Sequence, residues 1–369
     1  MEPTFDTFVV RVTDHAADNL PGFARNDYSR RQAFNADNSK IVVAAHDGSW
    51  HQYDARTYRH VGALPGVGGD AEPQWHPTNP NLMYYFPGFG LGMQIRELDI
   101  ASGKSRVAAD LASRIKALWP QATAAWTKSE GSPSADARYW ALMVDDKEWH
   151  GLGMLTYDLV ADRVLGTYDF AKNGKDRPDH LSMSPSGSFV VVSWDDGPWS
   201  FSRDFSKATR LTRKGEHSDL ALDASGEDTY VSIDFEAHGG PVFMINLRTG
   251  KRTDLFRTYL EHSATSIHFS GKAFSKPGWV LLSTFNEHGG PWQWLHGKIF
   301  AAELKENPQI VNLAHHHDVN NEYFTEPHAS VSRDFTRIVF NSNWEIDSKT
   351  DVDTYLIELP PTALIPSRP

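Results

Sequence analysis

Leu181–Trp194 reads LSMSPSGSFVVVSW, a short alternating stretch followed by a Ser-Pro-Ser-Gly turn and a run of β-branched residues. Proline and glycine favour a tight turn, and both flanking runs have the composition of strands. The same order of strand, turn and strand recurs at Gln32–Ala45, Pro73–Phe86, Gly131–Val144, Ser218–Ile233, His268–Ser283 and Ala329–Ser342. Strand pairs repeated about 40 to 60 residues apart are typical of β-propeller blades.

The strands that complete a blade follow the repeated pair. Short hairpin turns at Ser102-Gly103 and Thr249-Gly250 separate two further strands after the second and fifth copies. Helical periodicity is nearly absent from the chain. The one candidate helix, residues 110–118, is short enough to be a connector.

The two ends of the chain predict how the repeat closes. One clear strand, Thr354–Leu359, follows the last copy, and a spare strand, Thr7–Val12, precedes the first. An N-terminal strand that completes the last blade removes the open edge of the sheet. We therefore predict an all-β fold, a seven-bladed β-propeller whose ring is closed by the N-terminal strand, with residues 1–369 forming a single domain.

Composition limits the partners. The formal net charge of −11 argues against a nucleic-acid ligand, because such proteins carry a basic stripe. No apolar run approaches the roughly 18 residues of a membrane-spanning helix. The absence of cysteine excludes disulfides and thiolate chemistry. We expect a monomer. Its composition fits either a cytoplasmic protein or an extracytoplasmic one, and a periplasmic or secreted protein from which a signal peptide has been removed is slightly favoured.

An ionisable residue occupies the aligned position before the turn in every copy. The first strand of a blade begins at the rim of the central channel, so equivalent positions would form a ring there. Buried charges are costly unless they are paired or bind something, and such a ring therefore predicts a functional face. The alternative is a hydrogen-bonded network that only fills the channel. The seven residues are Arg31, Glu72, Glu130, His180, Asp219, His268 and His328.

The loops expected at this face carry most of the 17 histidines. Converging imidazoles and carboxylates suit a transition metal, and a neutral imidazole suits proton abstraction. The run His315–His317 is a weaker candidate, because adjacent side chains rarely point at one centre. Trp149, Trp199, Trp292 and Trp294 are expected to stack on sugar rings.

The repeat and the last copy carry a family resemblance. The turns resemble those of TolB-like propellers, and Glu326–Trp344, EPHASVSRDFTRIVFNSNW, resembles the last blade of the oligogalacturonate lyases. This resemblance implies a propeller enzyme that cleaves uronic-acid chains by β-elimination, with a metal, usually manganese, on its top face. In that family a histidine from an earlier blade and a Gln-x-x-His-x-His cluster hold the metal, and another histidine is the base.

By position, the resemblance implies His268 and His328 as metal ligands and His217 as the base. The two remaining cluster positions are Tyr323 and Glu326 in this chain. A carboxylate still ligates a metal, so Glu326 is expected as a third ligand, whereas Tyr323 is expected as an acid or second base. The chain also resembles propeller lyases, including those acting on ulvan, that use His and Tyr bases with an arginine neutralising the substrate carboxylate. Arg31 is the candidate for that neutralising role, and His180 is a candidate helper ligand or alternative base.

We therefore predict a polysaccharide or oligosaccharide lyase, a carbon–oxygen lyase acting on uronic-acid-containing glycans. Its cofactor is expected to be a divalent metal (Mn, Zn or Ca), and its partner an anionic polysaccharide or oligosaccharide that Glu72, Glu130 and Asp219 help to bind. Two alternatives stay open. One is a glycoside hydrolase that uses Glu72 and Glu130 as acid and base. The other is a non-catalytic TolB-like propeller that binds a carbohydrate or a protein.

Overall fold

The computed structural model describes residues 4–319 and 322–364, whose regular secondary structure is almost entirely β-strand. In chain order the strands are β1 (Val9–Arg11), β2 (Phe23–Arg25), β3 (Lys40–Ala45), β4 (Ser49–Asp54), β5 (His60–Gly68), β6 (Gln74–Trp75), β7 (Leu82–Tyr85), β8 (Gln94–Asp99), β9 (Lys104–Asp110), β10 (Ala124–Trp126), β11 (Tyr139–Asp145), β12 (Gly151–Asp158), β13 (Arg163–Asp169), β14 (His180–Met183), β15 (Phe189–Trp194), β16 (Gly197–Ser202), β17 (Ala208–Arg210), β18 (Ser218–Leu222), β19 (Asp228–Ile233), β20 (Pro241–Asn246), β21 (Arg252–Arg257), β22 (Ala264–Ser270), β23 (Trp279–His288), β24 (Lys298–Glu303), β25 (Ile310–His315), β26 (Ser330–Val331), β27 (Arg337–Ser342) and β28 (Val352–Glu358).

Helices are few and short. The predicted connector is a helix, α1 (Ala112–Leu118), and a second helix, α2 (Phe170–Asn173), was not predicted. Asp169 caps α2 by accepting a hydrogen bond from the backbone N–H of Lys172. Over the described residues, neither these helices nor the 3-10 turn at Gly88–Gly90 has the length and apolarity needed to cross a membrane.

The strands form repeated four-stranded sheets. Five sheets have four strands each, β6–β9, β10–β13, β14–β17, β18–β21 and β22–β25. In each of them neighbouring strands are antiparallel and follow one another along the chain, as in β14 to β17. This is the sheet from which propeller blades are built. The predicted all-β class is confirmed, whereas the number of blades stays a prediction.

The sixth sheet has eight strands and joins both ends of the chain. Its order is β26-β27-β28-β2-β3-β4-β5, and β1 also pairs with β28. In the antiparallel pair of β1 and β28, Val9 faces Ile357 and Arg11 faces Tyr355. The first strand therefore pairs with the segment that the sequence indicates. Closure of a complete ring stays a prediction.

The chain divides into two compact units. The first unit comprises the described residues of 1–47, 51–63 and 216–369, and the second comprises residues 48–50 and 64–215. The sheets β6–β9, β10–β13 and β14–β17 belong to the second unit, and β18–β21 and β22–β25 belong to the first. The single domain over 1–369 stays a prediction.

Tryptophan contributes much of the core. In the second unit, Trp126, Trp140 and Trp194 belong to one buried apolar cluster. In the first unit, Trp279 packs in a cluster with residues of β24 to β28. Large aromatic rings dominate core energetics because each removes a wide apolar area from water. Most tryptophans of this chain are therefore packing residues rather than ligand contacts.

Two copies of the repeat depart from the simple strand–turn–strand pattern. The second strand of the first copy pairs with β2, where Ala24 faces Ala45, and that of the third copy pairs with β10, where Ala124 faces Asp145. The chain between these early strands and the turns is irregular. Arg31 and Glu130 consequently lie in irregular segments, whereas His180, Asp219 and His268 lie in strands.

Candidate active site

Two histidines and one carboxylate meet in the first unit. His268 Nε2 lies 2.7 Å from Glu326 Oε2, and His328 Nε2 lies 3.2 Å from the same oxygen. Both imidazoles are fully buried, and Glu326 is partly exposed. We refer to these three residues as the His-Glu-His cluster. Its partial exposure at Glu326 gives a ligand a side from which to approach.

Local hydrogen bonds fix the segment that carries His328. His328 has a positive φ of 37°, a conformation that costs a non-glycine residue about 1–3 kcal/mol. The side-chain amide of Asn26 donates to the carbonyl oxygen of His328 at 2.6 Å, and the backbone N–H of Ala329 donates to Ser283 Oγ at 3.2 Å. These bonds hold the strained backbone so that the imidazole faces β22.

Aromatic rings surround the cluster. The ring of His217 stacks on that of His268 with centroids 4.5 Å apart, and Phe285 stacks on His268 at 4.4 Å. Tyr28 lies 5.4 Å from the His268 ring and 4.9 Å from the His328 ring. His217 is half-buried, so it combines contact with the cluster and access to solvent.

Burial sets the protonation of the cluster. It lowers the pKa of His268 to about 3, an effect to which Arg30 and Arg25 add, and it lowers the pKa of His328 well below the usual value. Burial also raises the pKa of Glu326 to about 7, against the opposing effects of His217 and Arg25. Both imidazoles are therefore neutral near neutral pH, where only Glu326 titrates.

Two arginines add positive charge beside the cluster. Arg25 is buried, and its Nη1 lies 3.1 Å from His328 Nδ1. The guanidinium group also lies over the rings of Tyr323 and Phe324 at 5.5 and 5.1 Å. Arg30 is buried as well, donates to the carbonyl oxygen of Ser218, and lies 5.7 Å from the Tyr28 ring.

Several cations are buried in the first unit although the whole protein is acidic. Besides Arg25 and Arg30, the first unit buries Arg31 and Lys272. Asp219 accepts hydrogen bonds from Lys272 Nζ at 2.8 Å and from a backbone N–H, and Asp27 accepts one from Arg31 Nε at 3.1 Å. Buried cations attract an anionic ligand strongly because the surrounding medium screens them weakly. An anionic substrate is therefore compatible with a net charge of −11.

The His-Glu-His cluster has the donor set of a divalent-metal site. Its three ligand atoms lie within 4.8 Å of one another. Among the described residues, His328 Nε2 has no aligned hydrogen-bond partner although it is buried. Imidazole and carboxylate together suit manganese and zinc. His268, Glu326 and His328 therefore fit a metal ion and leave coordination positions for other ligands.

Other groups of possible ligands fit a metal less well. His15, Asp351 and Asp353 lie together, but Asp353 already accepts hydrogen bonds from Arg11, Thr13 and the backbone of His15. Two further groups, Glu130-Asp179-His180 and Asp146-Glu148-His150, include exposed members. Exposed acidic groups are common without a metal ion, so these groups carry no separate assignment.

Five residues that the sequence singles out come together in the first unit. They are His217, His268, Tyr323, Glu326 and His328, and the half-exposed Tyr323 ring lies 5.1 Å from the His328 ring, edge to face. Arg31 and Asp219 are buried in the same unit, where each is held by an ion pair. Their predicted roles in catalysis and substrate binding stay predictions.

The second unit contains three of the predicted ionisable residues. Glu72 is buried and accepts hydrogen bonds from the backbone N–H and hydroxyl of Thr127 at 3.1 and 2.6 Å, and from the backbone of Ser129. These bonds favour a structural role. Glu130 Oε2 lies 3.6 Å from His180 Nδ1, which also faces Asp179.

The four predicted sugar-stacking tryptophans differ in exposure. Trp292 is the most exposed, at 70%, whereas Trp149 and Trp294 are just over one-third exposed. Trp294 packs on Phe256 and Phe300, and Trp149 packs on Phe89 and Trp126. Lys175 Nζ lies 4.9 Å from the Trp199 ring. Trp292 has the freest ring face of the four.

Sequence reasoning missed Arg25, Tyr28 and Arg30. All three lie in the stretch FARNDYSRR, residues 23–31, which begins with β2 and continues as an irregular segment. A feature of the sequence that could have indicated them is the group of three arginines at positions 25, 30 and 31 in an otherwise acidic chain.

The fold is similar to that of solved oligogalacturonate lyases. One, described as oligogalacturonate lyase in complex with manganese, has 16% identity and a TM-score of 0.65, with 97% of each chain covered. Another, oligogalacturonate lyase from Vibrio parahaemolyticus, has 15% identity and a TM-score of 0.62, with 96% of this chain and 97% of that chain covered. At this identity the likeness establishes a common propeller fold, and the predicted resemblance is confirmed at that level.

Neither a protein-family model nor a curated protein matches the sequence.

Proposed function

We propose that this protein is a polysaccharide or oligosaccharide lyase that cleaves a uronic-acid-containing glycan by β-elimination. The observation that carries the proposal is the position of His217, which stacks on His268 beside the His-Glu-His cluster and two buried arginines. A candidate base, positive charge that can bind a carboxylate, and a partly exposed side of the His-Glu-His cluster therefore occur together. The fold likeness to oligogalacturonate lyases gives further support.

His217 is the proposed base. In β-elimination a base removes the proton from C5 of the uronate, and the electron pair of that bond forms a double bond between C4 and C5. The C4–O4 bond breaks, and the leaving oxygen takes up a proton. A neutral imidazole is matched to such a transfer near neutral pH. His217 is the half-buried member of the stacked pair, so it is the one that reaches a ligand.

Positive charge next to the substrate carboxylate makes the C5 proton more acidic. A divalent cation held by His268, Glu326 and His328 would supply this charge as a Lewis acid. We propose manganese, zinc or calcium, and the complex with manganese described for a protein of the same fold favours the first. Arg25 and Arg30 add to the charge and stabilise the anion that forms when the proton leaves.

Tyr323 is the proposed donor to the leaving oxygen. Its ring is half-exposed and lies edge to face with His328, on the accessible side of the cluster. A phenol donates a proton to an alkoxide readily because the alkoxide is far more basic. Trp292, with its exposed ring, is the proposed stacking surface for a neighbouring sugar.

One of the two carboxylates that a glycoside hydrolase would need here is already hydrogen-bonded within the protein. Glu72 is buried and accepts three hydrogen bonds, so its carboxylate is committed to Thr127 and Ser129. A glycoside hydrolase needs two carboxyl groups that both reach the scissile bond. No such pair is favoured, and the lyase is the function that the site supports best.

The experiment is a screen of uronate polysaccharides and oligosaccharides, read by the ultraviolet absorbance of the unsaturated uronate product. We expect absorbance to rise with at least one substrate, and to fall when a chelator is added and recover with manganese. Reducing ends that increase without any absorbance change would point to hydrolysis. Binding without new ends would point to a non-catalytic propeller.

The architecture that we propose around this site is a single domain of seven blades. The five four-stranded sheets and the pairing of β1 with β28 in the eight-stranded sheet support it. In that arrangement the eight-stranded sheet contains two blades, linked by the parallel pairing of β2 and β28.

A further inference from the structure

Arg25 makes an unusual contact with one of the proposed metal ligands. Its Nη1 lies 3.1 Å from His328 Nδ1, and the same nitrogen lies 3.0 Å from the carbonyl oxygen of Asn26 and 2.9 Å from that of Asp27. Both side chains are buried. A guanidinium group has only donors. The contact is therefore favourable only when His328 Nδ1 accepts.

This requirement fixes the tautomer of His328. A neutral imidazole carries one proton, so a ring that accepts at Nδ1 carries its proton on Nε2. Nε2 is also the atom that faces Glu326, at 3.2 Å, and that belongs to the proposed metal-ligand set. A protonated Nε2 has no free lone pair for a metal ion. The other nitrogen of a metal-bound histidine instead donates its proton, usually to a carboxylate, a carbonyl or water.

We propose that Arg25 sets the tautomer of His328 and thereby competes with a divalent cation for the His-Glu-His cluster. Binding of the cation requires the hydrogen bond between Arg25 and His328 to break and the proton to move from Nε2 to Nδ1. The inference rests on the cation part of the proposed function and is independent of the substrate. Arg25 is in this respect a positioning residue that governs the affinity of the site.

The surroundings of Arg25 already contain what the metal-bound state needs. The carbonyl oxygens of Asn26 and Asp27 converge on the position of Nη1. A water molecule in that position would accept a hydrogen bond from His328 Nδ1 and donate to both carbonyls, which gives it three partners. Removal of the guanidinium therefore allows the tautomer that ligates a metal.

The test is calorimetric titration of manganese into chelator-treated protein, with Arg25→Met compared with the parent. When the nitrogen of a metal-bound histidine that does not bind the metal donates its proton to a suitable acceptor, the affinity for the metal is typically about 10–100-fold higher. We expect Arg25→Met to bind manganese about 10–100-fold more tightly than the parent. Equal affinities of the variant and the parent, or no binding by either, would overturn the proposal.

Arg30→Met is the matched control. The positive charge of Arg30 lowers the pKa of His268, as that of Arg25 does. Arg30, however, donates to the carbonyl oxygen of Ser218 rather than to His328. The substitution removes the same charge and leaves the tautomer constraint intact. If both variants gain affinity equally, simple repulsion explains the gain and the tautomer has no part in it.

A second measurement needs no substitution at Arg25. Nitrogen chemical shifts of the imidazole distinguish the two neutral tautomers, and His328→Ala identifies the signal in the spectrum of the parent. We expect the Nε2–H tautomer in metal-free protein, and a signal from the Nδ1–H tautomer there would refute the inference even if Arg25→Met failed to fold. Neither measurement uses a glycan, so failure of the lyase proposal would appear separately, in the absorbance screen.

Discussion

Replacement of His217 by alanine separates a catalytic histidine from a packing one. The side chain stacks on His268 with centroids 4.5 Å apart, and it also lies near the Phe285 ring, at 5.6 Å. An aromatic pair contributes about 0.5–1.5 kcal/mol beyond its buried area. We therefore expect His217→Ala to lose about 1 kcal/mol of stability, a small shift in melting temperature. Loss of a general base should lower kcat about 10²–10⁴-fold.

The assay follows initial rates by product absorbance on the substrate that the screen identifies, and melting temperature by calorimetry. His76→Ala is the matched control. The His76 ring accepts hydrogen bonds from the backbone N–H groups of Thr78 and Asn79 in the turn between β6 and β7, at 3.2 and 3.0 Å. Its loss should cost similar stability and no rate. If His217→Ala melts earlier yet turns over like the parent, His217 is not the base, and His180 and Tyr323 become the candidates.

Four further outcomes follow from the same contacts. Glu326 has a pKa of about 7 in the folded protein and about 4.5 in the unfolded chain, so the parent without metal loses folding stability as the pH rises from about 4.5 to about 7. Glu326→Gln does not titrate, so its free energy of unfolding should rise relative to that of the parent by about 3 kcal/mol over this range, measured by chemical unfolding. A difference that does not depend on pH would contradict this expectation. Glu326→Ala should weaken manganese binding at least about 10-fold by calorimetry, and unchanged affinity would remove this residue from the ligand set. Lys272→Met should lower the free energy of unfolding by about 3–5 kcal/mol, because it leaves Asp219 buried without its cation. Lys172→Met, at an exposed ion pair, should lower it by less than about 1 kcal/mol. Equal losses in chemical unfolding would mean that burial does not determine the contribution of these ion pairs. Deletion of the chain up to Thr13 should lower the melting temperature and promote association through the exposed edge of β28, and a truncated protein as stable and as monomeric as the parent would show that β1 contributes little.

The fold was predictable because its signals are local. The alternating run and turn at Leu181–Trp194 became β14 and β15, and the hairpin signal at Ser102-Gly103 became the turn between β8 and β9. Strand composition and turn chemistry act within about ten residues, so a single sequence contains them. The irregular chain before the turns of the first and third copies has no such periodicity, so the turns alone do not indicate that Arg31 and Glu130 lie outside strands.

The site was only partly predictable, because its contacts are distant along the chain. The resemblance to a known last blade pointed to His217, His268 and His328, which the structure brings together in the first unit. Arg25 meets His328 across 303 positions, and nothing in either local sequence indicates the partner. Glu72 also has partners that its local sequence does not indicate. An ionisable residue at a ring position suggested function, yet its carboxylate is satisfied by Thr127 and Ser129.

The pairing of β1 with β28 has a consequence for synthesis on the ribosome. Val9 lies opposite Ile357, so the partner of the first strand is made long after the first strand itself. At about 5–20 residues per second, β1 must wait for tens of seconds after it leaves the exit tunnel. During this time the four-stranded sheets between them complete locally, whereas the sheet that joins both ends cannot. β1 therefore stays without this pairing until β28 has been made, and a chaperone that shields nascent strands would act on it in the meantime.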